Sequence, residues 1–74
     1  MTTEERATLY PLGCAVVATA KYRAQFPRAR SRGAGTDITG RVVGYGRHPD
    51  RVCVLVDGHL TKRSFHWHFW DRIV

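Results

Sequence analysis

Glycine recurs three times in the run Ile38-Thr39-Gly40-Arg41-Val42-Val43-Gly44-Tyr45-Gly46, and that spacing constrains the chain more than any other feature. So many glycines exclude a helix. In an extended chain, Ile38, Gly40, Val42, Gly44 and Gly46 fall on one face, while Thr39, Arg41, Val43 and Tyr45 fall on the other. Glycines confined to one face of a strand leave room for a hard bend or for a second backbone to approach closely. The expectation is a strongly curved strand of the kind found at the corners of a small barrel.

The flanking segments supply partners for it. Arg47-His48-Pro49-Asp50 has turn chemistry, with proline at its second position. Arg51-Val52-Cys53-Val54-Leu55-Val56 is a continuous apolar strand. Asp57-Gly58 marks a second turn. The more polar residues 60–66 form the third strand of a meander. Upstream, residues 14–19 are short, apolar and β-branched, which predicts a first strand. Residues 21–36 contain Pro27, Gly33 and Gly35 and lack apolar periodicity, which predicts a long loop. A loop of that length in a small domain is usually either functional or disordered. Trp67-His68-Phe69-Trp70 fits one helical turn, and residues 71–74 a closing strand. Residues 1–12 are expected to form a flexible tail, leaving 13–74 as a single small domain. The predicted class is therefore all-β: a small five-stranded antiparallel barrel with a short 3₁₀ turn before the last strand.

At 74 residues the chain has room for one domain. No apolar run approaches the roughly 18 residues of a spanning helix, and Glu4 and Glu5 stand where a signal peptide would be basic. A soluble cytoplasmic protein with no membrane association is expected. Cys14 and Cys53, each set among aliphatic residues, suit buried free thiols in a reducing compartment.

The element order over residues 13–74 resembles the Src-homology-3-like barrel family: strand, long first loop, three-stranded meander, 3₁₀ turn and closing strand. Within it, Gly35-Thr36-Asp37-Ile38-Thr39-Gly40-Arg41-Val42-Val43-Gly44-Tyr45, followed by Val52-Cys53-Val54-Leu55-Val56-Asp57-Gly58, resembles the KOW motif of ribosomal and transcription-elongation proteins. The run from Gly40 to the end also resembles short uncharacterised bacteriophage and prophage proteins. Proline-peptide-binding members of the barrel family carry an acidic first loop, whereas this one is purely basic.

That loop is the leading candidate for function. Twelve Lys and Arg oppose six Asp and Glu, giving +6. Lys21, Arg23, Arg28, Arg30 and Arg32 occur with no acidic residue between Ala20 and Thr36. Guanidinium forks match phosphate oxygens, and Tyr22, with Tyr45 nearby, offers rings on which unpaired bases stack. Trp67 is expected at the surface as an interaction residue. The histidines His48, His59, His66 and His68 lack the spacing of a structural zinc module, so no metal or other cofactor is expected. Ser64 and His66 have no third catalytic partner in view, so the chain is read as a non-enzyme. The expected partner is a nucleic acid or nucleoprotein. The alternative is a protein-interaction module, such as a phage factor that docks on and inhibits an acidic host protein.

Overall fold

Thr2 and Glu5 start the chain with reciprocal caps. The Glu5 N–H donates to Thr2 Oγ1 at 3.1 Å and the Thr2 N–H donates to Glu5 Oε1 at 3.3 Å, which secures the first turn of α1 (Thr3–Leu9). The structure, a computed structural model, describes residues 1–27 and 37–73. The expectation that residues 1–12 form a separate tail is corrected here. Arg6 and Tyr10 are each only 6% exposed, so this segment is packed into the domain as one of its walls.

Gly13 turns the chain with φ +86° into β1 (Ala15–Ala18). Residues 21–36 do not begin as the predicted loop. Ala20–Gln25 form a helix, α2, because five of its six residues are good helix formers and Tyr22 supplies a buried anchor. The remainder of the predicted loop, 28–36, lies outside the described residues.

Four further elements complete the fold: β2 (Thr39–Tyr45), β3 (Arg51–Val56), β4 (Arg63–His66) and β5 (Trp70–Arg72), with a 3₁₀ turn at Trp67–Phe69. The four strands join β1 in one antiparallel sheet in the order β4-β3-β2-β1-β5. The predicted β content, meander and 3₁₀ turn are present, joined by two short helices. The sheet is unclosed: its edge strands, β4 and β5, are linked through the 3₁₀ turn and share no ladder.

β3 alternates cleanly. Val52, Val54 and Val56 face inward, while Cys53 and Leu55 face outward. Its register against β2 exposes a bulge. Val42 pairs with Val54, but Gly44 pairs with Cys53, so Val43 is an extra residue. That insertion corrects two sequence expectations. Gly44 leaves the face of Gly40 and Val42 and joins the outer one. Tyr45, expected outward, pairs with inward-facing Val52 and turns toward the core.

Gly40 is where two backbones approach closely. A Cβ built there would stand 2.7 Å from the Leu55 carbonyl oxygen and 2.9 Å from Val54 Cγ1. Inside the sheet, Val16, Val42, Val52, Val54 and Trp70 are fully buried. An aromatic cluster of Tyr22, Phe26, Phe65, Phe69 and Trp70 fills the side beneath α2, with Tyr22 and Trp70 rings 5.0 Å apart.

Candidate functional site

The residues singled out from sequence divide into four groups. Arg28, Arg30 and Arg32 lie outside the described residues. Lys21 and Arg23 are exposed on α2. Arg23 Nη2 donates to Asp37 Oδ1 at 3.0 Å, with both side chains more than half exposed. An open pair of this kind contributes little to stability and exchanges readily for another anion.

Tyr22 and Tyr45 are corrections. Tyr22 is 5% exposed, its ring enclosed by Phe26, Phe65 and Trp70, and burial raises the pKa of its hydroxyl, opposed by the nearby Arg63 charge. A ring held this way offers no face to a base. Tyr45 is half-buried: its hydroxyl donates to the Tyr10 carbonyl at 2.8 Å, and Arg6 Cζ lies 4.6 Å from its ring centroid. Its role is to support a buried guanidinium. Arg6 Nη1 donates to the carbonyls of Gly46, His48 and Arg51 at 2.9, 3.0 and 3.1 Å, which fastens α1 to the β2–β3 connection.

Trp67 is half-buried rather than fully at the surface, and it lies in a cleft. The 3₁₀ turn that carries it is pinned along its whole length. Trp67 N–H donates to the Asp50 carbonyl at 2.9 Å. The Tyr10 hydroxyl reaches the carbonyls of Trp67 at 3.3 Å and Trp70 at 2.7 Å. From the other side, Thr19 Oγ1 donates to the His68 carbonyl at 2.8 Å and Thr19 N–H to the Phe69 carbonyl at 2.9 Å. His68 N–H donates to His66 Nδ1 at 3.2 Å, and the two imidazoles stack with centroids 4.0 Å apart. Burial lowers the pKa of His68, and the neighbouring His66 and Lys21 charges lower it further. His68 is therefore neutral at physiological pH.

Between α2 and this turn lies an open cleft of about 330 Å³, walled by Thr19, Ala20, Lys21, Trp67, His68, Trp70 and Asp71. Sequence reasoning singled out Lys21 and Trp67 separately and weighed His68 for function only as a metal ligand; it missed Thr19 and Asp71. Thr19 precedes a run of helix formers, which is an N-cap position; nothing local announced that its hydroxyl would bond to a residue 49 positions away.

The described residues contain no group of three His, Cys, Asp or Glu side chains placed to hold a metal ion. Cys14 and Cys53 are free and half-buried. Burial raises the Cys14 pKa, which leaves it a protonated thiol and a poor nucleophile at neutral pH. No helix among the described residues is long and apolar enough to cross a membrane. Comparison with protein-family models, with curated proteins and with solved structures found no match.

Proposed function

We propose that the protein is a non-enzymatic nucleic-acid-binding module of the Src-homology-3-like barrel type, which grips the phosphate backbone with α2 and the arginine-bearing segment after it. The strand order β4-β3-β2-β1-β5, with a 3₁₀ turn joining the two edge strands, supports the barrel reading. Edges linked through three residues require a tightly coiled sheet.

One observation carries the functional reading. Lys21 and Arg23 project from α2 into solvent and are followed within a few residues by Arg28, Arg30 and Arg32, with no carboxylate between Ala20 and Thr36. Arginine-rich segments of this kind neutralise phosphates and release condensed counterions, so affinity falls with salt in proportion to the number of phosphates neutralised.

Anisotropy titrations of a labelled oligonucleotide across a salt series test this. The intact chain should bind at low salt and weaken steeply as salt rises. Replacing Arg28, Arg30 and Arg32 together by Ala should reduce the slope of log affinity against log salt by roughly 2 to 3, at about 0.7–0.9 for each phosphate no longer neutralised. Absence of binding at low salt, or an unchanged slope in the triple variant, would refute the assignment.

A further inference from the structure

Gripping phosphates uses only Lys21 of the cleft between α2 and the 3₁₀ turn. We propose that this cleft receives one unpaired nucleobase, which makes the protein selective for single-stranded nucleic acid; this rests on the nucleic-acid reading above.

Size, chemistry and rigidity support that occupant. About 330 Å³ is at the small end of ligand sites and suits one nucleotide rather than several. Trp67 and His68 are two of its walls; an indole is a stacking surface that accepts any base, while the His68 imidazole is itself packed against His66 and Phe69, with ring centroids 4.0 and 4.5 Å away. The third aromatic, Trp70, is fully buried, and its indole N–H has no hydrogen-bond partner among the described residues.

The charges argue for a base rather than a phosphate inside. Lys21 and Asp71 both line the cleft. A phosphate drawn fully in would meet the Asp71 carboxylate, whereas a base can donate its ring N–H or exocyclic amine to that carboxylate. The adjoining phosphate is then left to Lys21, on the same helix that leads into the arginine segment. In a duplex the base faces are covered by their neighbours, so only an unpaired base can enter. The turn is already held by Tyr10, Thr19 and Asp50, so little ordering remains to oppose binding.

The test compares a single strand with a duplex of equal length at one salt concentration, following anisotropy and tryptophan emission together. Trp67 and Trp70 both line the cleft, so quenching by ligand reports on its occupancy. The single strand should bind about tenfold more tightly, at the lower-middle of what one stacked base contributes, and should quench emission, while the duplex should not. Trp67→Ala should remove the preference and leave duplex binding and its salt slope intact. Trp67→Phe, which preserves a stacking ring, should keep the preference and lose the Trp67 share of the quench. Equal affinity for the two forms, or a preference without quenching in the intact chain, would overturn the cleft assignment while leaving phosphate binding standing. Binding of neither form at low salt would remove both.

Discussion

Arg6 brings a guanidinium into the protein with no carboxylate among the described residues to meet it. Three main-chain carbonyls converge on Nη1, which has only two hydrogens, so at least one of them is shared. The ring of Tyr45 covers one face of the group, and Arg6 Nε has no partner among the described residues. A buried cation is tolerable only when its donors are used and its plane is stacked. Removing it deletes three hydrogen bonds and severs the link between α1 and the β2–β3 connection; the His48 and Arg51 carbonyls keep the main-chain N–H groups of Arg51 and Gly46, and the Gly46 carbonyl is the one left exposed to the loss. At about 1 kcal/mol for each hydrogen bond, Arg6→Ala should lower stability by about 3 kcal/mol. Arg6→Lys should lie between the two, because an ammonium keeps the charge but loses the planar fork. Urea denaturation midpoints decide it; an Arg6→Ala variant as stable as the parent would refute this account.

Strand β2 shows how differently two glycines of one strand behave. At Gly40 an added methyl would collide with the main chain and a valine of β3, whereas at Gly44 it would meet only Cys53 Cβ at an ordinary 3.6 Å. Gly40→Ala should therefore destabilise by about 1–3 kcal/mol, and Gly44→Ala should change stability by less than about 0.5 kcal/mol. Equal effects in thermal or urea melts would contradict the bulged register. The contrast also marks where sequence reading succeeded. Val52, Val54 and Val56 alternate with period two, and Gly58 sits at φ +91° in the Asp57-Gly58 turn; both signals are local and were legible. The flexible-tail expectation for residues 1–12 overlooks the reciprocal caps of Thr2 and Glu5, and too few apolar residues follow to reveal which face the helix buries. The bulge at Val43 left no such trace. Its stability depends on Tyr45 meeting Arg6 and Tyr10, residues some 35 or more positions away. For the same reason Tyr22 looked available for stacking. In a six-residue helix a single buried ring creates no period, and its burial follows from Phe65 and Trp70, which the local sequence does not contain. Of the candidate site, the charges of α2 and the ring of Trp67 could be found in sequence. The cleft could not, because it joins residues from both ends of the chain.

For the whole molecule, the titrating groups set a window of maximum stability. Burial depresses the pKa of His68 below its ordinary value of 6.5, so its contribution is complete above 6.5 and is lost as pH falls toward the folded-state value. Asp50, held low by its hydrogen bond to the Met1 ammonium, adds a further loss below 3.8. On the alkaline side, the Met1 ammonium is raised above 8.0 by Asp50, and burial raises Cys14 above 9.0. The Met1 contribution is complete below 8.0 and fades as pH climbs past it, and the Cys14 thiol adds a further loss above 9.0. Melting temperatures measured from pH 5 to 10 should form a plateau between 6.5 and 8.0 and decline on both sides; a maximum near pH 5 would contradict these assignments. The strand order has a kinetic corollary as well. β1 lies between β2 and β5 and pairs Val17 with both Thr39 and Asp71, so its hydrogen bonds close loops of very different length. The β2–β3–β4 meander needs only short closures and is free to assemble early, whereas β5 must find a strand more than fifty residues upstream. The aromatic cleft lies across that last seam, so a chain still emerging from the ribosome has the arginines long before it has the pocket.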